Sequence, residues 1–318
     1  MANLAFFTEA DGWFHPTPVA RSMWAKATLT GPATCALAAR SAELAGGRDG
    51  FRPVRFTIDL FRAAREIPTT TTTTMRRDGQ RVRVVQVDVV QRAEPDDEPV
   101  TVASATTVFL KESVKPRGER WTRGPSTFNP PDAPDDDYYP RFTAEASTTA
   151  DGTESPAVPW TRDIGSGQVA GRKSYWCNAL PAVAGETPTP FQRAVVSAES
   201  TSLMGNWGTE GIALINCDLT VALARLPRSR RVGVSRHGTT IQFQNVPIES
   251  LLHWPRIEDV ITQACRCFND HSCCSLLGRH AENKSVNRAR GADFHAHVRD
   301  HEICVCGSDC KINPCFRR

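Results

Sequence analysis

Eleven cysteines and eight histidines are spread very unevenly along the 318 residues. Only Cys35, Cys177 and Cys217 precede residue 226, whereas Cys265, Cys267, Cys273, Cys274, Cys304, Cys306, Cys310 and Cys315 crowd the last 54 residues beside His295-x-His297-x3-His301. Thiolate and imidazole in such number could hold tetrahedral zinc, which takes four ligands. The spacing argues against it, because paired C-x2-C knuckles are absent and C-x-C takes their place. A disulfide framework belongs to secreted chains. Met1 to Trp13 lack the basic n-region of a signal peptide and carry Glu9 and Asp11 directly after Phe6-Phe7, so a cytoplasmic protein is expected. No metal and no organic cofactor is expected. Cys, His and Arg rise together where strand periodicity stops, which is the composition of a shifted reading frame or a recombined terminus. Residues 251–318 are therefore read as a divergent tail, and a metal-binding interaction protein acting through that tail is the alternative from a different functional class.

Charge narrows the partners. The chain has a formal net charge of +3; residues 1–225 hold 24 Lys/Arg against 26 Asp/Glu, and residues 226–318 hold 14 against 9. Arginine outnumbers lysine 32 to 6, a bias expected of GC-rich coding, and no basic stripe interleaved with aromatics accompanies it, so nucleic acid is not an expected partner. No stretch approaches the ~18 apolar residues of a membrane helix.

The elements that must position any site follow from periodicity. Asp11-Gly12 marks a hairpin between Phe6-Phe7 and Trp13-Phe14. Thr30-Gly31-Pro32 caps a helix whose Ala-rich body runs to Leu44, and Gly46-Gly47 ends it. Val54, Phe56, Ile58 and Leu60 alternate with polar residues in a half-buried strand. Asp78-Gly79 joins a strand containing Thr69 to Thr74 to one running Arg81 to Val90, and Thr101 to Leu110 closes the set. Residues 112 to 160 are proline-rich with an acidic run at Asp135 to Asp137, and read as a linker. Thr189-Pro190-Phe191-Gln192 then forms a capping box, and Phe191, Ala194, Val195 and Ala198 keep helical spacing. Gly211 to Leu223 reads as a buried strand, Thr239 to Val246 as another, and Ile257, Val260, Ile261, Ala264 and Phe268 as an amphipathic helix. Asp218-Leu219 stands after the second helix as Asp59-Leu60 stands after the first, a weak repeat of roughly 160 residues. The expected division is an N-terminal unit at 1–115, a linker at 116–159, a second and incomplete unit at 160–250, and the tail at 251–318, in the α+β class.

Several stretches carry a family resemblance. Ala5-Phe6-Phe7, Phe14-His15-Pro16-Thr17-Pro18-Val19-Ala20-Arg21 with Trp24, Phe56-Thr57-Ile58-Asp59-Leu60-Phe61-Arg62, Arg77-Asp78-Gly79-Gln80-Arg81, Trp176 with Pro181 to Glu186, and Asn216-Cys217-Asp218-Leu219-Thr220-Val221 together resemble the acyl-CoA thioesterase-like family, the type II thioesterases. The resemblance covers roughly residues 3 to 227. It implies a double hotdog, each unit a long helix wrapped by a curved antiparallel sheet, with an acyl-CoA site between the units. It further implies a hydrolase of fatty acid metabolism that releases free fatty acid and CoA, and a chain that self-assembles. The implied mechanism uses an acid on the second helix, a hydroxyl and a Gln amide to position water, with backbone N–H groups at a helix start holding the oxyanion. Residue by residue, the acid falls on Glu199, where the family usually has Asp, and the hydroxyl position falls on Asn216. Gln242 and Gln244 are the nearest candidates for the amide, and Thr30-Gly31 stands where members often have His-Gly. Without the resemblance Glu199 reads as a solvated helix glutamate, and Asn216 and Asp218 as residues satisfying a strand end. These departures leave a non-catalytic acyl-CoA or acyl-group binding protein of the same fold as the second reading.

Overall fold

The computed structural model describes residues 4–94, 96–113, 117–119, 130–132, 138–212 and 216–234, and the backbone of strand residues 235–237, 240–244, 260–262, 295–299 and 302–306. The chain falls into two compact units, Met1–Gln263 and Ala264–Arg318.

In the first unit β1 (Phe7–Ala10) and β2 (Trp13–Pro16) form the hairpin set by Asp11-Gly12, both of which take positive φ (51° and 77°) as a type I′ turn demands. Helix α1 (Gly31–Gly46) follows, then β3 (Phe51–Leu60), β4 (Thr69–Asp78), β5 (Val82–Gln91) and β6 (Val100–Lys111). They lie in a seven-stranded sheet in the order β1-β2-β4-β5-β6-β3-β14, where β14 is Asp218–Ala222. Helix α1 packs across β4, β5 and β6, covering Val85, Val87, Val89 and Phe109. Its small side chains permit a close approach: a Cβ on Gly46 would lie 2.8 Å from Val85 Cγ2. In β3 the expected alternation holds for Phe56 and Ile58, which are buried, but not for Val54 and Leu60, which are half-buried. A register shift between Pro53 and Arg55 re-phases the strand at that point.

The segment read as a linker is partly sheet. Strands β7 (Arg141–Ala144) and the short pair β8 (Ser147–Thr148) and β9 (Glu154–Ser155) fall inside it, and β10 (Val158–Thr161) crosses its end. Its prolines permit this because Pro140 precedes β7 and Pro159 lies in β10, an edge strand that can forgo one N–H. The second sheet has the order β10-β7-β11-β15-β16-β17, with β11 (Lys173–Asn178), β15 (Arg231–His237), β16 (Thr240–Gln244) and β17 (Val260–Thr262). Helix α2 (Pro190–Asn206) packs on β11, β14 and β15 and against α1. The stretch Gly211 to Leu223 is not one strand. Residues 211–212 form β13, paired with β12 (Trp207–Gly208), while 218–222 form β14 and 213–215 lie outside the described residues. Residues 260–262 are extended, not helical, because β17 adds to the edge of β16, and a sheet edge captures Val260 and Ile261, which helical spacing alone cannot hold. The rest of the expected 257–268 helix lies outside the described residues.

One core joins both sheets and both helices, with Phe7, Leu37, Phe56, Phe109, Phe191, Val195 and Leu219 fully buried. Phe56 of β3 and Phe191 of α2 meet edge to face at 6.0 Å. Strand β14 closes the structure by pairing antiparallel with β3, so that Asp218 faces Asp59 and Leu219 faces Ile58. In the second unit the backbone of β18 (His295–Arg299) and β19 (Glu302–Cys306) forms a hairpin that sets His295 opposite Cys306 and His297 opposite Cys304. The other tail cysteines lie outside the described residues, and among the described residues no helix is long and apolar enough to cross a membrane.

Candidate functional site

The site is built where α2 passes the first turn of α1. Thr189 caps α2 from its hydroxyl, which accepts from Gln192 N–H at 3.1 Å, and Pro190 opens the helix without wasting a donor. Helix α2 is buried on nearly every side and still carries Ser197, Ser200, Thr201 and Ser202 as buried residues. Polar groups survive there only with partners. Glu199 follows Ala198 on this helix and is half-buried as a residue, yet its carboxyl group is enclosed. That carboxyl rests on Gly31, the first residue of α1: a Cβ on residue 31 would lie 2.6 Å from Glu199 Cδ. Glycine is what admits the acid to the helix start. The Thr30 hydroxyl makes no cap bond to the first turn of α1, and Pro32 has no N–H.

Burial pushes the Glu199 carboxyl up from its ordinary 4.5 to about 7, and a hydrogen bond from Asn216 opposes part of that rise. Asn216 lies two residues before β14 starts pairing through Asp218, and its Nδ2 also approaches the Asp218 carbonyl at 3.4 Å. The two sequence candidates therefore meet side chain to side chain. Gln242 and Gln244 fall on β16, opposite Ser235 and Gly233.

Two more groups stand close enough to Glu199 to feel its charge: Cys35, one turn into α1, and Tyr175 on β11. Burial raises both the Cys35 thiol and the Tyr175 phenol well above their ordinary values, so both stay neutral near pH 7. Tyr175 hydrogen-bonds Ser200 and Cys177, and Cys177 Sγ lies 3.4 Å from Ser197 Oγ. Sequence reasoning missed Gly31, Cys35 and Tyr175 as neighbours of the acid. The available signal was the i, i+2 pair Tyr175 and Cys177, which period-two alternation places on one strand face, and the i, i+4 pair Gly31 and Cys35 on one helix face.

A helix laid across an antiparallel sheet, with a second helix bringing an acid to its start, is an α+β hotdog arrangement. Residues 20–110, which hold α1 and β3 to β6, match the model of the acyl-CoA thioesterase N-terminal domain, so this part of the chain is thioesterase-like. No curated protein matches the sequence. Among solved structures the chain is similar to a tesB protein of Mycobacterium avium subspecies paratuberculosis (14% identity, 80% of this chain and 91% of that one, TM-score 0.46). It is also similar to acyl-CoA thioesterase II TesB2 of Mycobacterium marinum (12%, 74% and 84%, 0.42) and to a hot dog fold protein of Alicyclobacillus acidocaldarius (13%, 80% and 91%, 0.44).

Proposed function

We propose that the protein is an acyl-CoA thioesterase of double-hotdog architecture that hydrolyses a fatty acyl-CoA to the free acid and CoA. The observation that carries the reading is the Glu199 carboxyl held against the first residue of α1 with Asn216 as its hydrogen-bond donor. In this reading ionised Glu199 takes a proton from a water as its oxygen attacks the thioester carbon. The uncapped N–H end of α1 receives the charge that develops on the carbonyl oxygen. Collapse of the intermediate breaks the C–S bond, and the proton held by Glu199 passes to the departing CoA thiolate. Asn216 has two amide hydrogens, for Glu199 and for the Asp218 carbonyl, and its Oδ1 is left as an acceptor that can orient the water.

The helix pairing supports two copies of one unit with a single working acid. Gly31 to Pro190 and Asp59 to Asp218 are the same distance apart in sequence, about 160 residues, and Asp59 and Asp218 pair directly. The tenth residue of α2 is Glu199, whereas the tenth residue of α1 is Arg40, bound to Glu186 at 2.6 Å. A panel of acyl-CoA esters of increasing chain length, followed by thiol release, tests the proposal. Hydrolysis that depends on Glu199 supports it, and saturable acyl-CoA binding with no thiol release would leave the acyl-binding reading in its place. That second reading has one specific support, the amide of Asn216 where the resemblance calls for a hydroxyl.

A further inference from the structure

Leaving β3, residues 60–67 run beside the connection from β5 to β6 and enclose a cleft of about 420 Å³ lined by Arg62, Arg65, Arg92, Asp97, Glu98 and Val102 among others. Three guanidinium groups border it. Arg62 and Arg65 are exposed and neither enters an ion pair among the described residues. Arg92 lies over the Trp13 ring at 4.9 Å, which holds its guanidinium in place. The backbone of Arg65 is clamped on both sides by the buried Gln91 amide, whose Oε1 accepts from Arg65 N–H at 2.8 Å and whose Nε2 donates to Arg65 O at 2.7 Å. Of the two acids on the rim, Asp97 accepts the Glu94 N–H at 3.0 Å and so is tied to its own loop. Two exposed arginines, one of them on a clamped backbone, beside a third stacked on a ring are suited to planar recognition of phosphate oxygens.

The same segment is stitched to both sides of the Glu199 site. Leu60 N–H donates to Cys217 O at 2.7 Å, next to Asn216, and Leu29 N–H donates to Ala64 O at 2.7 Å, two residues before Gly31. At ~3.8 Å per residue, Arg62 therefore lies within roughly 15 Å of Asn216. That is a distance a pantetheine arm bridges between a thioester and the phosphates at its other end. We infer that the Arg62, Arg65 and Arg92 cleft binds the phosphate groups of the nucleotide end of a CoA thioester. This assignment rests on the thioesterase reading for the identity of the ligand, and its test is separable from it.

The test is calorimetric titration of the full chain with CoA, pantetheine and inorganic phosphate, repeated on the Arg62→Gln/Arg65→Gln double variant. Both side chains are exposed, so the fold is unaffected. CoA is expected to bind at least tenfold more tightly than pantetheine, and the double variant is expected to lose about tenfold per arginine for CoA alone. The CoA affinity should also fall with added salt. In turnover, the variant should raise KM for acyl-CoA and leave kcat and acyl-pantetheine hydrolysis unchanged. Unchanged CoA affinity in the variant, CoA binding no tighter than pantetheine, or phosphate competing as strongly as CoA would each overturn the assignment. Arginine-dependent CoA binding without hydrolysis of any acyl-CoA supports the cleft and removes the hydrolase. Hydrolysis with arginine-independent CoA binding does the reverse.

Discussion

Glu199 rests its carboxyl group directly on the α carbon side of Gly31, so that the start of one helix and the acid of the other share one small volume. A Gly31→Ala change would put a methyl group 2.6 Å from the carboxyl carbon. The end of a flexible side chain can swing away, so the fold should lose little. The acid would move by about an ångström, a displacement that can cost ~100-fold in rate. Thiol-release kinetics and thermal melting of Gly31→Ala should therefore separate: a large fall in kcat with Tm nearly unchanged. A Tm loss matching the activity loss would assign Gly31 to packing alone.

The second prediction concerns the acid itself. Glu199→Gln should lower kcat/KM by about 100-fold or more, the range of a general base, while Glu199→Asp retains or raises activity. With a carboxyl pushed up to about 7, wild-type kcat/KM should rise with pH and level off above that value. Cys35 and Tyr175 face the same carboxyl and remain neutral across this range, so they add no second inflection. A flat profile through pH 6 to 8 would remove Glu199 from the rate-determining step.

How much of this was legible beforehand depended on how local each signal is. The Asp11-Gly12 hairpin, the Pro32 start of α1 and the Thr189 cap of α2 rest on turn and helix-start chemistry within four residues, and the β1/β2 turn and both helices are found at those places, although the Thr30 hydroxyl makes no cap bond. The roles of Glu199 and Asn216 came from resemblance, and their contact is made by residues 17 apart that only the docking of α2 on β14 brings together. Gly31 against Glu199 was invisible because nothing in a helix start announces what will lie on it. Strands β7 and β10 were hidden because prolines at a strand edge and prolines in a linker look alike in sequence, and only the neighbour at 2.5 Å, as between Thr143 Oγ1 and Val158 O, tells them apart. Residues 260–262 show the converse failure: a short apolar run satisfies helical spacing by chance until a sheet edge claims it.

A third prediction tests the tie between the helices. The Thr189 hydroxyl donates to Glu43 Oε2 at 2.6 Å while it caps α2, and Gln192 Nε2 donates to the same oxygen at 2.9 Å. Thr189→Ala removes a cap and one donor to a carboxylate that burial already raises above its ordinary value. The expected cost is about 1–2 kcal/mol in denaturant unfolding. Thr189→Ser should recover most of it, since the hydroxyl is retained. Equal losses in both variants would place the effect in the threonine methyl group.

The last prediction links the site to stability. In the unfolded chain Glu199 should titrate near 4.5, and in the folded protein near 7. Between those values the folded protein holds a proton that the unfolded chain has released, so folding takes up a proton and stability must fall as pH rises. The contribution is fully present below about pH 4.5 and is lost through about pH 7, with an upper bound on the order of 3 kcal/mol. Glu199→Gln keeps the shape and the hydrogen-bonding capacity of the protonated acid and cannot ionise. It should therefore match the wild type at pH 5 and exceed it at pH 8, gaining stability under the conditions where it loses activity. Guanidinium unfolding of both proteins at the two pH values measures the difference of differences, in which the titration of every other group cancels. A gap that does not widen from pH 5 to pH 8 would mean that the carboxyl is solvated when ionised, and the burial that makes it a strong base would be lost with it.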